Sequence, residues 1–167
     1  MEKKLLAVAI IAFVMVASLS IAGCTSSSNS SSTQVTDYSS YFNTAYSGGT
    51  SMIKQPFTKG TNYRGNDVYK GVTRNSSATG SYQYTTVIEL TQSQADAKKL
   101  YDQTVAQKLS EGFTTQPDIA ASYKAAFPYV TEVWVGQQNG DLFYIIYYND
   151  SNVSPSWLFV TEAGGMG

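Results

Sequence analysis

Few residues in this chain carry side chains that can do chemistry, and their types narrow that chemistry at once. Histidine is absent and cysteine occurs once, at Cys24. Ser-His and Cys-His nucleophile systems therefore lack a base, and the usual zinc and transition-metal sites lack ligands. The tetrad Ser51-Met52-Ile53-Lys54 has the S-x-x-K spacing of serine-lysine acylases. Its companion S-D-N and K-T-G motifs are missing, so the spacing reads as coincidence. Glu89, Asp96, Glu132 and Asp141 fall near predicted element ends, and two carboxylates can run glycoside hydrolysis. No spacing singles out a pair. Asn149, Asp150 and Asn152 offer oxygens to calcium, but the EF-hand pattern is not met and a strand-ending turn explains them more simply. No catalytic residue is assigned, and no pattern requires a cofactor.

What remains is aromatic: the chain has 13 tyrosines. Tyr144 and Tyr148 lie in phase within the run LFYIIYY, and Trp134 and Trp157 sit on the flanking predicted strands. If helices cover one face of the sheet, these four rings face the other side, where they could stack on a sugar or line an apolar pocket. Ordinary cross-strand pairing uses the same residue types, so the competing account is a half-exposed sheet without a ligand.

The elements that must position these residues follow from periodicity. Tyr38, Tyr41, Phe42, Ala45 and Tyr46 have helical spacing after Thr36 or Asp37, and Gly48-Gly49 ends the segment. Residues 50 to 65 look irregular, broken by Pro56, Gly60 and Gly65. Asp67 to Arg74 and Tyr82 to Leu90 read as a hairpin, with Tyr82, Tyr84, Thr86, Ile88 and Leu90 of the second strand sharing a face. A long helix follows to Phe113, with a capping box at Thr91 and Gln94 and a stripe of Ala97, Leu100, Tyr101, Val105 and Leu109. A shorter helix spans Pro117 to Phe127. Three strands complete the chain, 131–137, 142–149 and 156–161, with Asn139-Gly140 as a hairpin turn. The expected fold is α+β, an antiparallel sheet of about five strands with helices packed on one face. This order of elements loosely resembles the cone-shaped nuclear-transport-factor-2-like fold and, less well, cystatin-like folds.

The N-terminus concerns location. Leu5 to Gly23 carries no charge, and as a helix would be roughly 28 Å long, near the thickness of a bilayer's hydrocarbon core. It ends in Ile21-Ala22-Gly23-Cys24, which resembles the lipobox of prokaryotic lipoproteins. The resemblance implies cleavage before Cys24 and lipidation of its thiol. An uncleaved transmembrane anchor is the competing account, and under either one Lys3 and Lys4 stay inside and the body lies outside the cytoplasm. Two acyl chains on Cys24 would suffice as an anchor. Thr25 to Thr33 is Ser or Thr except at Asn29, a composition suited to a tether.

The reading divides the chain into a signal peptide (1–23), a Ser/Thr-rich linker (24–35), one domain (36–163) and a Gly-rich tail (164–167). Sequons at Asn29, Asn75, Asn149 and Asn152 are glycan acceptors in a host that has the machinery. Lysine and arginine number 11 against 12 acidic residues, without a basic patch, which argues against nucleic acid as a partner. The functional expectation is a membrane-anchored extracytoplasmic lipoprotein whose domain binds a small molecule, a glycan or an envelope protein without catalysis. A small carboxylate-dependent hydrolase and a purely structural envelope component are the alternatives.

Overall fold

The computed structural model describes residues 36–77, 80–153 and 156–166. The readings that fall on the signal peptide, on Cys24, on the linker and on Asn29 lie outside those residues.

Helix α1 (Ser39–Ala45) opens the fold. Asp37 starts it by accepting hydrogen bonds from the Ser39 amide at 2.8 Å and hydroxyl at 2.6 Å, and Phe42 is its buried anchor. The stretch expected to be irregular is instead strand β1 (Ser51–Thr61). Pro56 does not prevent this, because β1 is an edge strand and its register with β2 (Asp67–Ser77) shifts between Gln55 and Thr58. A proline lacking N–H is tolerated at such a bulge. The bulge turns Phe57 inward, and its ring lies so close over Gly71 that a Cβ there would stand 2.7 Å from it.

Strand β3 (Gly80–Thr91) pairs in full register with β2 and leads into helix α2 (Gln94–Ser110). The cap of α2 is Ser93, two residues later than the sequence spacing suggests: its hydroxyl accepts from the Asp96 amide at 3.1 Å and donates to the Asp96 carboxylate at 2.6 Å. Thr91 is still sheet, and its hydroxyl donates to the Trp157 carbonyl at 3.0 Å. A two-residue strand β4 (Thr114–Thr115) and helix α3 (Pro117–Ala126) follow, then β5 (Glu132–Gln138) and β6 (Asp141–Asn149) around a turn in which Asn139 and Gly140 have φ of 53° and 87°. Strand β7 (Trp157–Met166) runs through the glycines that read as a tail, pairing Met166 with Tyr82.

The α+β antiparallel expectation holds, but among the described residues the sheet has seven strands, in the order β1-β2-β3-β7-β6-β5-β4. The two added strands are the irregular-looking β1 and the short β4. β7 lies between β3 and β6, so the last strand joins an N-terminal meander to a C-terminal one.

Helices cover both faces, not one. On the first face α2 sets Leu100, Tyr101 and Val105 against Trp134, Ile145 and Phe159. On the second, α1 and α3 pack Phe42, Ile119 and Tyr123 against Tyr69, Ile88, Tyr144, Ile146 and Val160. The reason is sequence economy in β6: Ile145 and Tyr147 need cover on one side, Ile146 and Tyr148 on the other.

Candidate functional site

Burial on both faces removes the open aromatic platform. Tyr144 and Tyr148 are each 6% exposed and lie under α3 and α1, whereas Trp134, 8% exposed, lies under α2 with its indole N–H donating to Thr115 Oγ1 at 3.2 Å. Trp157 is half-buried on that same α2 side, tilted against Tyr147 at 6.4 Å. Register decides this: Trp134 pairs with Ile145 and Trp157 with Asn149, both out of phase with Tyr144 and Tyr148. The structure brings the two tyrosines together and sets the two tryptophans on the opposite face.

The tyrosines instead help enclose a chamber. Glu162 on β7 stands between Thr86 of β3 and Tyr144 of β6 and is only 3% exposed. Around it the second-face core closes with Tyr46, Tyr123, Phe127, Tyr129 and Tyr148. Their rings form a connected series: Tyr123 and Phe127 centroids are 4.7 Å apart, Phe127 and Tyr129 6.0 Å, Tyr129 and Tyr148 5.4 Å, and Tyr123 touches Tyr144 at 5.6 Å. The space open to the centre of a water molecule is about 10 Å³, about enough for one water.

Glu162 Oε2 is buried without a hydrogen-bond partner, and so is Thr86 Oγ1. Loss of water around the carboxylate pushes its pKa up to about 7. Burial likewise raises the phenols: Tyr84 to about 12, and Tyr46, Tyr123 and Tyr148 well above the ordinary 10. These phenols stay protonated. The sequence reading ended β7 at Thr161 and missed Glu162. Period-two phase with Leu158 and Val160 was the signal that places it inside.

A second feature is open. Between the β1–β2 connection and α2 runs a groove of about 380 Å³, bounded by Tyr63, Arg64, Asn66, Asp96, Lys99 and Gln103. Beneath it buried Glu89 accepts from Arg64 Nε at 3.0 Å, from Arg64 Nη2 and from Asn66 Nδ2 at 2.7 Å. Burial alone would raise the Glu89 pKa, but Arg64, Asn66 and Asn62 hold it below the usual value. Arg64 also stacks on Tyr63, its guanidinium carbon 4.6 Å from the ring centre, and Tyr63 is 91% exposed.

The other sequence candidates have structural occupations. Asp96, in the first turn of α2, accepts from the hydroxyl of its cap Ser93 at 2.6 Å, Glu132 accepts from the Tyr147 hydroxyl at 2.9 Å, and Asp141 is exposed beside the β5–β6 turn. Glu89 and Glu162 lie on opposite faces of the sheet, so they do not form a catalytic pair. Asp150 is buried, accepting from the Tyr41 hydroxyl and, at 2.9 Å each, from the Asn152 amide and side chain. That closes a turn and ties it to α1. Asn149 and Asn152 are exposed, whereas Asn75 is buried and accepts from Thr50 Oγ1 at 2.7 Å. Ser51 and Lys54 of the S-x-x-K tetrad lie on edge strand β1, and the Ser51 hydroxyl donates to the Tyr46 carbonyl at 3.1 Å.

Comparison of the chain with protein-family models, with curated proteins and with solved structures finds no match.

Proposed function

We propose that this chain is a membrane-anchored extracytoplasmic lipoprotein whose domain is a non-catalytic binding module, and that the groove beside Arg64 receives a glycan. The observation that carries the glycan reading is the pairing of an exposed tyrosine ring with a fixed polar floor. Tyr63 offers one ring face to a sugar while Arg64 backs the other. Asn66, Asp96, Lys99 and Gln103 supply donors and acceptors at the rim. Because Glu89 already holds Arg64 and Asn66, the floor needs little reordering when a ligand arrives, and that lowers the cost of binding. Catalysis draws no support from this site. A general acid needs a raised pKa, and Glu89 is lowered and locked in an ion pair.

The anchoring half rests on the run Leu5 to Gly23 and on Cys24. Intact mass of membrane-extracted protein should lack residues 1–23 and carry acyl mass, with Cys24→Ser blocking both; a full-length unmodified chain would sink it. For the groove, a panel of neutral hexose and N-acetylhexosamine oligosaccharides is titrated against the protein by calorimetry. Binding that Tyr63→Ala abolishes without moving the melting temperature is the expected result. A panel without any binder, or binding indifferent to Tyr63, contradicts the assignment.

A further inference from the structure

The chamber around Glu162 poses a separate problem, because a carboxylate sealed among rings must either keep its proton or find a positive partner. No described residue makes an ion pair with it. Every other described titratable group facing it is a tyrosine: Tyr46 after α1, Tyr123 on α3, Tyr129 on the α3–β5 connection, Tyr84 on β3, and Tyr144 and Tyr148 on β6. All carry raised pKa values, so among the described residues lining the chamber Glu162 alone takes a negative charge at neutral pH; Asp150, whose charge acts on Tyr129 and Tyr148, lies beyond the lining, held by Tyr41 and Asn152.

We propose that this chamber is a binding site for a small ammonium-type cation, ammonium itself, held between the Glu162 carboxylate and the surrounding tyrosine and phenylalanine rings. Three features select that class. A monovalent cation neutralises one carboxylate, whereas calcium or magnesium would keep an uncompensated charge and want six or more oxygens. Aromatic faces attract an ammonium most strongly where water is excluded. Ammonium matches the water-sized space and brings N–H donors to Glu162 Oε2, which belongs to a lining residue and has no hydrogen-bond partner.

Tyr129 supplies the entrance. It is the lining tyrosine most open to solvent, 37% exposed, and is held by ring contacts with Phe127 and Tyr148. Movement of its side chain opens the chamber without breaking a strand.

The test uses the full-length protein in detergent at pH 8, with melting temperature read in ammonium, methylammonium or sodium chloride at equal concentration. Ammonium should raise it above the sodium value and methylammonium, one methyl group too large for a one-water space, should not; Glu162→Gln should erase the ammonium effect, and Tyr63→Ala in the distant groove should preserve it. Apparent affinity should fall about tenfold from pH 8 to pH 6, as the carboxylate takes up its proton. Equal melting in all three salts, as a chamber holding only water would give, overturns the proposal, and so does a difference that survives Glu162→Gln. Should that variant not fold, the ¹³C titration of the wild-type Glu162 carboxyl decides. Its midpoint must drop in ammonium chloride relative to sodium chloride, and an unmoved midpoint overturns the site.

Discussion

Glu162 binds its proton more tightly in the folded protein than in the unfolded chain, at about 7 against the ordinary 4.5. Between those values the folded state holds the extra proton, so this contribution to stability is fully present below about pH 4.5 and is lost as pH rises through 7. The difference amounts to about 3 kcal/mol for a group this deeply buried. In amine-free sodium buffers, Glu162→Gln should therefore stabilise the protein at pH 8 by an amount of that order and hardly at pH 4. Urea unfolding of both proteins at the two pH values measures it, and parallel pH profiles would contradict the placement of the carboxyl. A neighbour gives a second prediction. A Cβ at Gly164 would stand 2.1 Å from the Tyr84 ring, so Gly164→Ala should lower stability by about 1–3 kcal/mol through overpacking. Unchanged unfolding would mean that the ring is free to move. At this scale the sequence showed which residues were aromatic and that Glu162 lay in phase with Leu158 and Val160. It did not show that no described lysine or arginine would pair with the carboxylate.

At the scale of elements, the strongest signals were those written in neighbouring residues. The α2 stripe of Ala97, Leu100, Tyr101 and Val105 is visible from spacing, and all four pack toward the sheet or are buried, whereas Leu109 is 48% exposed. The cap was displaced by two residues because Thr91 is claimed by Trp157 across the sheet, which no local pattern records. Ser93→Ala should consequently cost about 1 kcal/mol, and Thr91 should not substitute for it as cap. Denaturant midpoints of the Ser93→Ala protein test this; no loss would mean that α2 is capped otherwise. β1 was illegible for a related reason. Pro56 and Gly60 read as breakers until an edge position and a bulge make them harmless, and both are properties of pairing with β2.

For the whole molecule, strand order sets where the protein is firm. β3, β7 and β6 are flanked on both sides by other strands, whereas β1 and β4 are edges. Amide hydrogen exchange should be slowest in β3, β7 and β6 and fastest in β4 and the outer half of β1. Rapid exchange in β7 would contradict its place between the two meanders. Composition, lack of histidine, the apolar N-terminal run and the periodicity of most helices and strands were determined by the sequence alone, because each is a property of residues close together in the chain. The tertiary structure alone decided that helices cover both faces of a seven-stranded sheet. It also decided that Tyr144 and Tyr148 turn away from Trp134 and Trp157, and that one carboxylate is sealed among tyrosines. Each depends on register between strands far apart in the chain, where a shift of one residue exchanges the two faces of the sheet.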